Sequence, residues 1–529
     1  MNKEMHGRVF FVSMIEECLS STNQLNTDNI EIILRYSDTS WFKSKTFLHF
    51  TPRIPKYSGK GGNKKINIKS YDRLLRYVAS PKLVARHRFY PLIHYAIKER
   101  RYATNLKKQS SRGIKIKSRH INYATHIDTH IYSYYAKTIL GELYEKLVSA
   151  KPYNSSIIAY RQIPKSINKG EYKYKSNIDF AHEAFTYIDS LDESIVLILD
   201  IKNFFDTIDH NRLYQAWANL LGIENKRLPE DHYLLYKSLT NYSFVEESDI
   251  LTSLNLSKSK LRKKPSKSYF DSPQEFRKEI VHKKLIRTTD NKKGIPQGTS
   301  LSAFLSNLYL LDFDSKLYDF GNQNAKFFFY RRYSDDMLIV CPKNNYEEIL
   351  KYIEKVLDEE FKVQIHSGKT VIASVFKNEM GDSVIQTEDG KKAVQYLGFN
   401  FDGQVVSLKE QGLSKFYRRM KKAVRYKAHR AGMRSEKDIL KSFQPRNIAN
   451  KSQFKDKGIF TNKLYRRFSL MSKNNYLGYS IRSAKEFKDM KNVIRQQISN
   501  AWKNLQNEIK KYNYYDDTDE EDGIDFDFF

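Results

Sequence analysis

The chain is short of several things, and each shortage excludes something. Only two of its 529 residues are cysteines, Cys18 and Cys341, so neither a disulfide framework nor a four-cysteine zinc ribbon can form. Apolar runs such as Ile195–Leu199 fall far short of the roughly 20 residues that a membrane span needs. The opening MNKEMHGRVFFVSMIEE holds a brief apolar stretch that meets Glu16 and Glu17 at once, unlike a secretory signal. A soluble, cytoplasmic protein without a membrane partner is therefore expected. Acid is scarce too: 61 Asp and Glu against 91 Lys and Arg leave a formal charge of +30. Such an excess draws phosphate polymers and anionic surfaces. Yet 40% of the residues are hydrophobic and 14% aromatic, too many for a disordered polycation. The length suggests about three or four structural units. A folded nucleic-acid protein is the first expectation.

No internal repeat is visible. Segment 101–119 carries seven Lys or Arg and no acid, and its IKIKSRHI end alternates like a strand. Segment 126–148 has helical spacing, as does 178–188. Ser194–Ile201, SIVLILDI, is a near-continuous branched run, the pattern of a strand buried on both faces. A stretch near 220–290 reads as an insertion. Its middle, LSKSKLRKKPSK at 256–267, reads as an exposed loop. GIPQGTS predicts a turn that opens an apolar helix, and KFFFYRRYSDDMLIV at 326–340 predicts strand, tight turn, strand. A helix is expected over 346–360, and short strands at 363–365 and 396–399. From Lys415 to Arg434 there are nine Lys or Arg and no acid, which predicts a basic helix. A further helical region is expected over 462–512. The last 17 residues hold eight acids and no base, the composition of a disordered or loosely docked tail.

Asp335 and Asp336 carry the chemistry. A hairpin tip fixes adjacent carboxylates on rigid strands. Asp200 closes a second apolar strand, where a charge is costly unless it is paired or bound to metal. Carboxylates converging from separate segments are what a pair of divalent ions requires. An Asp-Asp pair alone is usually a turn or a solvated surface, as Asp516-Asp517 in the tail illustrates. The flanking strands set Asp335 and Asp336 apart.

Asp200 with DIKNFFD, then GIPQGTSLSAFLSN, then YSDD resembles motifs A, B and C of a reverse transcriptase palm. Gln297 follows Asp200 by 97 residues, longer than usual for the family, and Asp335 follows Gln297 by 38. HSGKT, with Lys369, resembles motif D, and YLGF at 396–399 resembles motif E, the primer grip. The resemblance covers roughly residues 100–400. It implies an α+β right-hand polymerase with fingers, a palm built on an antiparallel sheet, a thumb and a mostly helical C-terminal region. The implied division is an N-terminal extension and the start of the fingers at 1–99, fingers at 100–199, a palm at 200–400 with the insertion at about 220–290, a helical thumb and C-terminal region at 401–512, and the acidic tail at 513–529.

The same resemblance implies roles. Asp200 and Asp335 would be the main metal ligands, with the Ile201 carbonyl helping and Asp336 supporting. The ions would be two Mg²⁺, with Mn²⁺ as a substitute. Phe205 stands where the family places a steric gate against the ribose 2′-OH; the alternative is that Phe204 or Phe205 is simply core, and since neighbours in a strand face opposite sides, one can be core and the other the gate. Gln297 would lie along the nascent base pair, and Gly294 and Gly298 would allow a close backbone approach. Ser302, Ser306 and Asn307 either line the template side or serve as small packing residues. Lys369 would protonate the departing pyrophosphate. Arg119, with Lys115 and Lys117, and Arg161 would hold the triphosphate; general backbone binding is an equal reading for the two lysines. The basic helix would track a duplex.

Two cysteines exclude the Cys-rich endonuclease of many group II intron enzymes, and neither the NAxxH nor the VTG stretch of retron enzymes is present. The long gap between motifs A and B, with SNLYLLDFD after motif B, is more similar to bacterial phage-defence reverse transcriptases of the abortive-infection and "unknown group" kinds. That implies antiviral defence, with a structured noncoding RNA, a DNA product and deoxynucleoside triphosphates as partners, and a homo-oligomer as an option. Some such enzymes need little template and prime from a protein hydroxyl. Tyr512, Tyr514 and Tyr515 are candidate primers, and autoinhibition is another role for the tail. A retron- or intron-like enzyme is one alternative. An RNA-binding defence protein that needs no polymerisation is the alternative of another class.

Overall fold

The computed structural model describes residues 40–42, 48–50, 68–102, 114–165, 174–224, 226–264, 266, 268–289, 292–388, 390–430 and 462–512. The fold is α+β. Strands β1 (Leu92–Tyr102) and β2 (Ile114–Tyr123) form a long antiparallel hairpin in which Ile97 faces Arg119. Helix α1 (His126–Tyr134) starts at Thr125, whose hydroxyl accepts the Asp128 N–H at 3.3 Å. A π-turn at Tyr135–Ile139 carries the chain into α2 (Leu140–Ser149), so the predicted 126–148 helix is present. Helix α3 (Asn177–Asp189) opens on a capping box: the Ser176 N–H reaches the Asp179 carboxylate at 2.7 Å.

The predicted apolar strand is β3 (Glu193–Asp200). Beyond it come β4 (Ser243–Glu246) and β5 (Arg287–Thr288), then helices α4 (Ser300–Tyr309) and α5 (Leu311–Asn324). The YSDD hairpin is β6 (Phe329–Tyr333) and β7 (Asp336–Cys341). Helix α6 (Tyr346–Glu359) follows, then β8 (Val371–Lys377) and β9 (Ser383–Thr387). Three short strands close the series: β10 (Val394–Tyr396), β11 (Phe399–Phe401) and β12 (Val406–Leu408). The basic helix is α7 (Glu410–Arg430), and four shorter helices span Asn462–Lys510.

The central sheet is antiparallel throughout, in the order β9-β8-β3-β7-β6. Its two middle strands send alternate side chains into different cores. Ile195, Leu197 and Leu199 of β3, with Met337 and Ile339 of β7, join the core beneath α1, α2 and α4–α6. Val196, Leu338 and Val340 join the core formed by α3, the three-stranded sheet β10-β11-β12 and the C-terminal helices. Burial on both faces is why these strands lack polar alternation. Each such side chain contributes about 1.5–3 kcal/mol by leaving water. On α7, Phe416, Met420, Val424 and Ala428 form a buried stripe four residues apart, while Arg418, Arg419, Lys421 and Lys422 are exposed.

Several expectations are corrected. The 220–290 insertion does not decorate the central sheet. Its β4 pairs in parallel with β1 and its β5 pairs with β4, giving a second sheet β2-β1-β4-β5. Its own core, with Tyr269, Phe270 and Phe276, packs on Ile93 and Val245. The 256–267 stretch contains a short helix, Lys258–Lys263, anchored by buried Leu261, where a loop was expected. YLGF is a turn, with Leu397 and Gly398 at positive φ, between the end of β10 and the start of β11, where a strand was expected. Among the described residues no helix is long and apolar enough to cross a membrane. The acidic tail, with Tyr514 and Tyr515, lies outside the described residues, whereas Tyr512 is buried.

Candidate active site

β3 and β7 run antiparallel, and their register sets Asp200 directly opposite Asp336. Such a pair is about 5 Å apart at Cα. Asp335 sits in the turn beside them, where its carbonyl accepts the Ile201 N–H at 3.2 Å. Asp200 and the adjacent pair Asp335 and Asp336, far apart in sequence, therefore share one end of the sheet. Residues 363–369 run alongside the exit of β3. The Lys202 N–H donates to the Gln364 carbonyl at 2.8 Å, and the His366 N–H donates to the Asp200 carbonyl at 2.7 Å. That path delivers Lys369 to the site, and its ammonium contacts the Asp200 carboxylate.

Burial pushes the Asp335 carboxyl up, and the charge of Asp200 adds to the rise while Lys369 opposes it. Asp336 is pushed up to about 7, by burial first and then by Asp335 and Asp200. The cluster carries more negative charge than one lysine neutralises. Its donors are hard oxygens of the kind that hold Mg²⁺ or Mn²⁺. Among the described residues no group of three His, Cys, Asp or Glu side chains is already gathered around a single point for an ion. The Lys369 ammonium on Asp200 takes the place of a cation there. The donor set fits a divalent ion, with Asp200, Asp335, Asp336 and the Ile201 carbonyl as the oxygens to hand.

After Asp200 the chain leaves the sheet through Asn203, at φ 49°, and Phe204–Thr207 form one helical turn in place of continued strand. Phe204 is core and Phe205 is half-buried, so the separation of the two rings arises from helical geometry, and strand alternation plays no part. The GIPQGTS turn lies against this segment: the Ile295 N–H reaches the Phe205 carbonyl, and the Gly294 N–H the Ile208 carbonyl, both at 2.8 Å. Gly294 has φ 90°, and an added Cβ would come within 3.0 Å of the Asp206 carbonyl oxygen. The Gln297 carbonyl accepts the Asn122 N–H of β2 at 2.7 Å, and a Cβ on Gly298 (φ 122°) would sit 2.6 Å from the Asn122 carbonyl oxygen. Glycine there is a contact requirement between the turn and the hairpin.

The other expected residues divide. Arg119 is exposed on β2, and Lys117 is half-buried on the same face. Lys115 lies in the same strand. Arg161 is a correction. Its five N–H donors go to the Glu145 carboxylate, the Asn154 carbonyl and side chain, and the Ile157 carbonyl, at 2.6–2.9 Å, which leaves none for a phosphate. Ser302 bonds to Thr299, Ser306 donates to the Ala303 carbonyl, and Asn307 donates to the Ala159 carbonyl at 2.6 Å, so all three act in packing.

Sequence reasoning passed over a buried network beneath the turn. Arg332 is fully buried and binds the buried Asp314 carboxylate twice, while its Nη1 donates to the Ser334 carbonyl at 3.1 Å and to Asn307 Oδ1 at 3.2 Å. The signal was present in FYRRYSDD, where Arg332 falls on an inward position of a strand.

Residues 138–401 match the family model for reverse transcriptase (RNA-dependent DNA polymerase). The comparison with curated proteins gave no match. Among solved structures, the chain is similar to apo telomerase from Candida tropicalis truncated from its C-terminal domain, with TM-score 0.36 and 10% identity over 67% of this chain and 63% of that one. It is also similar to telomerase from Candida albicans in complex with a TWJ fragment of telomeric RNA, with TM-score 0.34 and 11% identity over 84% and 67% of the two chains. The chain thus spans less than two thirds of the first of these. The ordered motifs, the convergence of Asp200, Asp335 and Asp336, and the family match lead to one conclusion: residues 138–401 of this chain are a reverse transcriptase domain, a nucleotidyltransferase of the RNA-dependent DNA polymerase type.

Proposed function

We propose that the chain extends a primer hydroxyl with deoxynucleoside triphosphates, copying RNA into DNA. The observation that carries this reading is the register pairing of Asp200 with Asp336, with Asp335 in the adjoining turn and Lys369 against Asp200. Divalent ions bound there would lower the pKa of the attacking hydroxyl and stabilise the leaving pyrophosphate. The protein's own part is to place groups. Asp200, Asp335, Asp336 and the Ile201 carbonyl present oxygens. Lys369 stands ready to give a proton to pyrophosphate. Phe205 borders the sugar, and the Pro296–Gly298 turn lies along the new base pair. Arg119, with Lys117, faces the triphosphate, and the exposed basic side of α7 follows the duplex. In this reading the β2-β1-β4-β5 sheet serves as fingers, the central sheet as palm and the C-terminal helices as thumb.

The test is a primer-extension assay on an RNA template with Asp335→Ala/Asp336→Ala. Loss of synthesis with the fold intact supports the reading, and full synthesis by the variant removes it. Resemblance to phage-defence enzymes extends the proposal to a bacterial defence role, with a structured noncoding RNA as template and Tyr514 or Tyr515 as protein-primer candidates. Sequencing the RNA and DNA that copurify from cells would identify the template and product. Replacing Tyr512, Tyr514 and Tyr515 with Phe while retaining a covalent DNA–protein product would eliminate tail priming.

A further inference from the structure

Tyr160 holds left-handed backbone, φ 59°, a conformation that is costly for an aromatic L-residue. Its flanks explain how it is kept there. Ile157 bridges to Arg332, and the Ile158 N–H donates to the Arg332 carbonyl at 3.1 Å. The Ala159 carbonyl accepts from Asn307, and Arg161 is fixed by its five donors. With both neighbours pinned, the Tyr160 side chain is turned outward and is 56% exposed. The left-handed turn itself gains nothing from a side chain at this position; glycine would hold the same backbone without strain.

What the ring faces gives it a use. Its centroid is 6.5 Å from that of Tyr333, the last residue of β6, two positions before Asp335. Between them in sequence, Ser334 is also left-handed, at φ 61°. The Ser334 Oγ is buried and lies near the Tyr160 phenol and the Asp335 carboxylate. Burial pushes the Tyr160 phenol up, a hydrogen bond with the Ser334 hydroxyl opposes the rise, and Tyr333 and Asp335 add to it. An outward aromatic and a second ring beside it thus flank the edge of the catalytic turn. Aromatic rings next to an anion-managing centre suit a nucleic-acid strand, because every base offers a face to stack on whatever its sequence.

We propose that Tyr160 completes, with Tyr333, an aromatic platform that seats the terminal nucleotide of the primer strand beside Asp335. The proposal rests on the polymerase reading and adds to it a positioning residue. Arg161 thereby acquires a role other than the one expected of it: it fixes the backbone that presents Tyr160.

The experiment uses the full chain and a fluorescein-labelled DNA primer annealed to an RNA oligonucleotide. Anisotropy without nucleotide reads binding, and extension kinetics read synthesis. Tyr160→Ala is expected to weaken duplex binding about 5- to 100-fold, the range for loss of one stacked base, with the KM for deoxynucleotide unchanged. Tyr160→Phe restores the ring and is expected to recover most of that loss. Tyr160→Gly is expected to raise the melting temperature while losing binding as Ala does, a combination that a purely structural tyrosine would not produce. If the wild-type chain binds and extends the duplex and Tyr160→Ala does so equally well, the platform is wrong and the polymerase reading stands. If the wild-type chain neither binds nor extends it, both fall.

Discussion

The guanidinium of Arg332 grips the Asp314 carboxylate through two bonds, Nε to Oδ1 at 2.7 Å and Nη2 to Oδ2 at 2.5 Å, with neither side chain open to solvent. Burial raises the Asp314 carboxyl while Arg332 pulls it back down, the balance expected of a buried ion pair. Tyr330 also donates to Asp314, at 2.7 Å, and Arg332 continues to the Ser334 carbonyl. The pair therefore links α5 to the turn that carries Asp335. Arg332→Met alone strands a buried carboxylate and should cost about 3–5 kcal/mol. The double change Arg332→Met/Asp314→Leu should recover most of that stability. It should not recover activity, because the turn has lost its donor; displacement by an ångström costs about 100-fold in rate. Chemical denaturation and single-turnover extension would measure the two effects. A double variant as active as wild type would limit the pair to folding.

Stability and function should conflict at Asp336. Its carboxyl is pushed up to about 7, by burial first and then by Asp335 and Asp200. The unfolded chain loses that proton near pH 4. Between about pH 4 and pH 7 the folded state thus holds a proton that the unfolded state has released, and stability falls as pH rises through that window. Asp336→Asn should leave stability unchanged near pH 4 and raise it by about 1 kcal/mol above pH 7 in the presence of EDTA. The effect is small because solvent still reaches the Asp336 side chain at the strand end, although neighbouring groups crowd its carboxyl. Mg²⁺ should then stabilise wild type more than the variant. Melting curves across pH, with and without Mg²⁺, test this; equal curves for both proteins would refute it.

Lys369 should matter in two ways. As an acid toward pyrophosphate, its loss in Lys369→Ala should slow the chemical step about 100-fold. As the cation on Asp200, its loss should also weaken tolerance of the acidic cluster in metal-free protein. Lys369→Arg keeps the charge and should restore metal-free stability more fully than rate. Rapid-quench kinetics and melting temperatures would separate the two roles.

Phe205 is half-buried against Phe204, with ring centroids 5.8 Å apart, and its carbonyl is held by Ile295. If Phe205 is the proposed gate, its backbone is anchored and a 2′-OH would have to displace the ring itself. Phe205→Ala should improve incorporation of ribonucleotides relative to deoxynucleotides by about 10- to 200-fold, the range for opening a pocket by a small group. Competition between the two substrates on one primer is the measurement. An unchanged ratio would remove the gate.

Affinity for a primer–template should fall steeply with salt if the exposed face of α7 follows a duplex. Replacing Arg418 and Lys422 with Gln should flatten the slope of log affinity against log salt by about 0.9 for each phosphate that is no longer neutralised. An unchanged slope would place the duplex elsewhere.

The sequence alone determined the parts whose physics is local or strongly patterned. The run SIVLILD had to be a doubly buried strand, YSDD a tight turn between strands, and GIPQGTS a glycine-dependent turn into a helix. Each follows from side-chain period, backbone freedom or the cost of leaving a charge without a partner. Tertiary structure decided what depends on distant neighbours. Register alone could set Asp200 opposite Asp336 and bring Lys369 to them. The insertion joined the hairpin sheet because β4 found an open edge on β1, a pairing that no local pattern encodes. Arg161 looked like a phosphate ligand because an arginine's sequence neighbours do not reveal whether its five donors are already taken. The strain at Tyr160 was hidden for the same reason: a left-handed tyrosine arises only when contacts from other segments hold both its neighbours.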